Sequence, residues 1–304
     1  RRSSDLENSD DLAKIKYIDH QKNISFYTQI NNSPVKIINL KKIDITSPET
    51  EVIINSKSGK SSISIPKLIY LSGEIEDQSD SNVFLDFTDE NNIKGLISIQ
   101  NKTYFYQNRS NENRNRIIKT KSVNFQPSNK ENQCLNESKN LNSLTNQPSL
   151  LSSIIKNKAN IDIDKNTYIS NITIESDYEY YSLFNDPIKA AKYTFDLIGY
   201  ISSIYKKELG SILRVKKINL YSSNTNPWLS VNTDGLLDNL ETYYKSHSLI
   251  QPQVSAVHLL SGKRIGGLAY VGSLCNNSTN FGVSGGLYGT FDINSPQIVW
   301  DAKV

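Results

Sequence analysis

The 304-residue chain has no methionine, only two cysteines and only three histidines. Two cysteines cannot make a disulfide framework, and the spacing of Cys134 and Cys275 matches no zinc-knuckle pattern. They could pair with each other or with residues outside the chain, and spacing leaves both options open. His20, His247 and His258 lie far apart, and none has a second ligand candidate at metal spacing. No apolar run approaches the roughly 18–20 residues that span a bilayer, so membrane contact is expected only through segments outside this chain. An excess of one charge is also missing: 34 basic and 31 acidic residues leave +3, too balanced for a polyanion partner, and nucleic acid is not expected. The absent methionine and the opening Arg1-Arg2 lead us to expect a processed or truncated product.

What is present divides into three parts. With 37% hydrophobic residues the chain can bury a real core, and its length suggests roughly two domains of about 150 residues. Residues 1–106 read as a β-rich domain, because short apolar runs such as Glu51-Val-Ile-Ile and Ser81-Asn-Val-Phe-Leu-Asp-Phe alternate with period two. Val83, Leu85 and Phe87 share one face, and the turns between runs suggest an antiparallel meander. Residues 107–160 are rich in asparagine, lysine and serine and carry no apolar stripe, so they read as a polar linker. The basic tract from Arg109 to Lys121 lacks aromatic interleaving and reads as part of that solvated linker.

Residues 161–304 alternate strands with helices. Ser170, Ile172 and Ile174 mark a strand, and Asn185-Asp186-Pro187 supplies a cap and a proline for a helix that Gly210 stops. A strand at Leu213–Tyr221, a helix from Asp234 and a strand at Val254–Leu260 follow, which predicts a layered sheet with helical crossovers. Sequons at Asn23, Asn31, Asn101, Asn108, Asn136, Asn171, Asn276 and Asn277 suit a secreted glycoprotein, but in so asparagine- and serine-rich a chain they barely exceed chance.

Eight of the 14 glycines fall between Gly262 and Gly289. They serve either turns and bulges on an edge strand or an open sheet edge where a peptide lies against the backbone. Gly282-Val-Ser-Gly-Gly satisfies the G-x-S-x-G pattern of a nucleophile elbow, but no histidine follows Ser284 to complete the hydrolase order. Ser58-Gly-Lys-Ser resembles the end of a phosphate loop, yet Ile54 stands where a glycine is required. His258, among apolar strand neighbours, reads as a satisfied sheet histidine.

The stretch from Val254-Ser-Ala-Val-His-Leu-Leu-Ser-Gly through Ile265-Gly-Gly-Leu-Ala-Tyr-Val-Gly-Ser-Leu-Cys275 to Val299-Trp-Asp-Ala-Lys-Val304 resembles the reprolysin (adamalysin, ADAM-type) metzincin proteases. The strand Thr173–Asp177 and the helix from Pro187 resemble that domain's first strand and helix. Leu71-Ser-Gly-Glu, Ser81-Asn-Val-Phe-Leu, Gly95-Leu-Ile and Tyr104 resemble, less specifically, the family's propeptide. The resemblance implies a β-rich propeptide followed by the N-terminal part of an α+β or α/β catalytic domain: a mixed twisted sheet with an antiparallel edge strand and two helices. It implies zinc as cofactor, held by three histidines of an H-E-x-x-H-x-x-G-x-x-H helix whose glutamate polarises a bound water. That helix is expected just beyond Val304, so no catalytic or metal residue is expected in this chain and it should be inactive alone. Protein or peptide substrates would add to an edge strand of Gly266, Gly267, Leu268, Ala269, Tyr270 and Val271. Cys275 would be a disulfide cysteine whose mate lies outside the chain. Cys134 would be either an inhibitory thiolate or the partner of Cys275. The resemblance also implies an extracellular protein, secreted or held at the cell surface. A catalytically inactive homologue serving as an adhesion or binding module is the alternative.

Overall fold

The computed structural model describes residues 24–30, 33–89, 92–100, 102–110, 116–123, 167–247, 254–276 and 278–290. The period-two runs before residue 124 form nine strands: β1 (Ile24–Ile30), β2 (Ser33–Lys42), β3 (Glu51–Ser56), β4 (Gly59–Ile63), β5 (Tyr70–Ile75), β6 (Gln78–Asp86), β7 (Asn92–Ile99), β8 (Lys102–Ser110) and β9 (Arg116–Val123). Seven build an antiparallel sheet in the order β1-β2-β5-β6-β7-β8-β9. Its edge strands β1 and β9 approach each other, so the sheet curls around an inner core that includes Ile37, Leu71, Val83, Leu85 and Phe87. Alternation along β6 sends Phe84 to the opposite, outer face.

Two expectations about this region are corrected. The hairpin β3–β4 does not belong to the meander: β3 pairs in parallel with a strand of the second half, Glu51 opposite Lys217 and Asn55 opposite Tyr221. Period two identifies a strand but not the sheet it joins, and Val52-Ile-Ile would suit either. Strand β9 also falls within the segment read as linker. Its backbone pairs with β8 from Ser110–Arg116 to Thr103–Val123, so the first sheet runs past residue 106. Interspersed lysines masked its apolar content. The remainder of that segment, with Cys134, lies outside the described residues.

In the second half, β10 (Tyr168–Ser176) is central. It is flanked in parallel by β11 (Ser211–Tyr221) and β12 (Ala256–Leu260), and β14 (Phe281–Ser284) lies parallel to β12. The short β13 (Gly267–Ala269) closes one end antiparallel to β14, and the order is β13-β14-β12-β10-β11-β3-β4. Helix α1 (Tyr178–Ser182) follows β10, α2 (Pro187–Leu209) crosses to β11, and α3 (Thr233–Ser246) precedes β12.

The expected signals start and stop α2. Asp186 accepts from the amides of Ile188 and Lys189, Pro187 sits in the first turn, and Gly210 at φ 64° ends the helix. The helix is buried on more than one face because it lies between the two sheets. Its Ala191, Phe195 and Ile198 share one core with Phe84, Leu96 and Phe105 of the first sheet and with Ile174, Val215 and Ile218 of the second. At Gly199 a Cβ would stand 3.0 Å from the Phe84 ring and 3.2 Å from Tyr70, so a side chain there would press on the first sheet. Helix α3 covers the other face of the second sheet through Leu236, Leu237, Leu240 and Tyr244. The fold is mixed α+β with two sheets and few helices, consistent with a partial metzincin domain preceded by a β-rich region.

Candidate functional site

Among the described residues, β13 is one of the two edge strands of the second sheet. Gly267 pairs with Ser284, Leu268 with Val283 and Ala269 with Gly282. The Gly285 amide donates to Gly266 O and the Tyr270 amide to Phe281 O, which extends the pairing at both ends. In an antiparallel ladder these bonds alternate. Gly266, Leu268 and Tyr270 therefore turn their amide and carbonyl groups towards β14, whereas Gly267 and Ala269 turn theirs away from it. Leu268 anchors the strand in the α3-side core. Ala269 and Val271 are exposed. The Tyr270 hydroxyl donates to Glu241 on α3, and Lys263 Nζ donates to Trp228 O (2.6 Å) and Ser230 O (2.9 Å), tying the loop before β13 to the segment before α3.

The glycine cluster separates into different roles. A Cβ at Gly285 would fall 2.1 Å from Ile265 Cγ1, and one at Gly282 would fall 2.7 Å from His258 Nδ1. Those two glycines make room for neighbouring side chains, while Gly267 lies on the strand edge itself. Cys275 is exposed, its thiol is free, and its backbone has φ 64°.

The structure joins two residues that chain order kept apart: His258 Nε2 is 2.8 Å from Ser284 Oγ. They do not form a nucleophile elbow. Ser284 lies on a paired strand, its carbonyl accepting from Ser261 N, and no strand-to-helix turn presents it. Burial lowers the His258 pKa to about 4, so the ring is neutral at pH 7. Among the described residues, no carboxylate bonds to it. His247 ends α3 and stacks on Tyr243 at 4.5 Å. His20 lies outside the described residues. Ser58 lies in the turn between β3 and β4, and Gly59 and Lys60 begin β4.

A part-buried acid cluster around α2 and a buried acid on β10 escaped the sequence reading. Asp196 on α2 accepts from Lys192, which also reaches Asp86 Oδ2 at 2.6 Å, and from the Tyr70 hydroxyl at 2.6 Å. Burial first, then nearby Asp86, raise Asp196 to about 6 against the pull of Lys192. Glu175 on β10 accepts at Oε1 from Asn219 Nδ2 (2.7 Å) and the Tyr244 hydroxyl (2.5 Å), while Oε2 is buried without a partner. Burial raises it to about 7 despite those bonds and the charges of Lys217 and Lys60. The one signal in the sequence was an acid inside an apolar run, Ile172-Thr-Ile-Glu-Ser.

Among the described residues, no group of three or more His, Cys, Asp or Glu side chains could hold a metal, so these residues do not fit a zinc site. Residues 191–299 match a family described as metallo-peptidase family M12B, reprolysin-like. The match begins within α2 and includes β11 to β14. No curated protein matches the chain. The family match supports a metallopeptidase-type function acting on proteins or peptides, in a family that depends on zinc in general.

Proposed function

We propose that the chain is part of the precursor of a reprolysin-type, zinc-dependent metalloendopeptidase, secreted or held at the cell surface, with the β-rich N-terminal region as propeptide. The observation that carries this reading is β13: an antiparallel edge strand inside the matched residues, with the backbone of Gly267 and Ala269 turned outward. An extended substrate would add to that edge by main-chain hydrogen bonds, and the small side chains at 266, 267 and 269 would not obstruct it. In this reading the zinc-binding run is the one that the resemblance to the family implies downstream of Val304. Cys134 as an inhibitory thiolate and Cys275 as a disulfide cysteine belong to the same proposal.

The first test is the coding sequence past Val304. An H-E-x-x-H-x-x-G-x-x-H run supports the peptidase, a degenerate run with the same flanks points to an inactive binding module, and neither would overturn the protease reading. The second test is Ala269→Pro in the full-length enzyme. Proline is tolerated on an edge strand where its missing N–H would face outward, so the fold should persist. Losing one substrate hydrogen bond should raise KM for an extended peptide roughly threefold to tenfold. An unchanged KM would exclude β13 as the docking edge.

A further inference from the structure

A cavity of about 570 Å³ opens at the seam between the two sheets, within the range of about 300–1,000 Å³ usual for small-molecule sites. No residue of β13 lines it, so the inference from it is independent of the peptidase reading. Phe84, Leu96 and Phe105 of the first sheet and Phe184 of the α1–α2 connection give it an apolar, largely aromatic wall. An apolar wall alone would not select a ligand. The polar groups do.

Asp86, Lys192 and Asp196 line the same cavity, and each keeps part of its side chain accessible, 14%, 22% and 18% respectively. They fix one another in place: Lys192 donates to both carboxylates, and the Tyr70 hydroxyl donates to Asp196 Oδ1 at 2.6 Å. Asp86 commits its second oxygen to the Thr88 amide, 2.9 Å away. Asp196 Oδ2 accepts from no described residue, yet it is not a buried orphan: it is an acceptor with open surface on a side chain that lines the cavity.

The charge of the occupant follows from that oxygen and from the rim. Lys67, Lys94 and Lys189 also line the cavity, and Lys67 and Lys189 are exposed and so mark its mouth. A fatty carboxylate held by those lysines would lay hydrocarbon over Asp196 Oδ2 and strip it of water without replacing the lost hydrogen bond. An ammonium at Oδ2 would sit beside Lys192, which already occupies the same carboxylate, and Lys67, Lys94 and Lys189 would add to the repulsion. A neutral hydroxyl donates to the oxygen and meets neither penalty. We propose that this cavity binds an apolar alcohol, its hydroxyl donating to Asp196 Oδ2 and its hydrocarbon lying against Phe84, Leu96, Phe105 and Phe184.

The test is calorimetric titration of the full 304-residue chain with n-octanol at about pH 7.5, with methyl heptyl ether, octanoate and octylammonium as controls. The ether has the atoms of octanol but no donor. Octanol should bind saturably, the ether about tenfold more weakly because the charge-assisted hydrogen bond is lost, and both ions more weakly than octanol. Asp196→Asn should weaken octanol about tenfold and leave the ether unchanged. Circular dichroism would check its fold. Should it not fold, Ile188→Trp, at an exposed position lining the cavity, should weaken octanol and ether alike by filling the space. Absence of saturable octanol binding, the ether or either ion binding as tightly as octanol, or octanol affinity unchanged in the folded variant would each overturn the proposal.

Discussion

Replacing Glu175 by glutamine should stabilise the protein at alkaline pH and leave it nearly unchanged in acid. The folded state raises this carboxyl from 4.5 to about 7, chiefly by burial. A group whose pKa is raised on folding binds its proton more tightly in the folded chain. Its favourable contribution is complete below the unfolded value and is lost as pH climbs through the folded one. A rise of this size corresponds to about 3 kcal/mol. Because Glu175 is only 1% exposed, solvent screening does little to reduce that figure. Glutamine keeps the oxygen that accepts from Asn219 and Tyr244. Its amide occupies the place of the protonated Oε2, so the unpaired donor is common to both proteins and cancels. Urea unfolding of wild type and Glu175→Gln from pH 4.5 to 8 should give curves that nearly coincide at pH 4.5 and diverge to about 3 kcal/mol by pH 8, with glutamine the more stable. A difference that does not change with pH, or one that favours glutamate as pH rises, would refute this account of the buried acid.

Two further substitutions probe the seam where α2 meets the first sheet. Lys192→Met would leave Asp86 and Asp196 facing each other without their shared cation, and should cost about 2 kcal/mol in chemical denaturation at pH 8. The loss should shrink near pH 5.5, where Asp196, raised to about 6, takes up a proton. Gly199→Leu would drive a side chain into Phe84 and Tyr70, and should lower stability by about 2 kcal/mol even after the gain in helix propensity, as read by the urea midpoint.

The elements legible in the sequence were those specified locally. Asp186-Pro187 and Gly210 bound α2 because a cap, a fixed φ and a left-handed residue act within one turn. The inward set Val83, Leu85 and Phe87 followed from the two-residue period of a strand. What could not be read depended on distant partners. Val52-Ile-Ile gave no sign that β3 would pair with β11, more than 160 residues later. His258 and Ser284 meet only because β12 and β14 are neighbours. Glu175 and Asp196 look like ordinary acids until Tyr244, Asn219, Lys192 and Tyr70 are placed around them. The edge strand β13 was anticipated from family resemblance, since a three-residue strand that begins on a glycine carries almost no periodic signal.

The two halves share one core, and this bears on whether they can be separated. Phe84, Leu96 and Phe105 of the first sheet pack in the cluster built on α2, and Phe84 lies edge-on to Tyr200 at 6.0 Å. Polar contacts cross the same seam: Thr50 Oγ1 donates to Val215 O, the Val215 amide donates to Ile45 O, and Asn82 Nδ2 donates to Ser203 Oγ. Burying three large apolar side chains contributes about 5–9 kcal/mol, comparable with the whole stability of a typical domain, about 5–15 kcal/mol. Residues 167–304 expressed alone should therefore lack cooperative unfolding and bind a hydrophobic dye through uncovered α2. Adding residues 24–123 as a separate chain should restore a cooperative transition and suppress the dye signal. If residues 167–304 alone are monomeric, silent to the dye and unfold cooperatively, then the first sheet covers α2 without being needed to hold it.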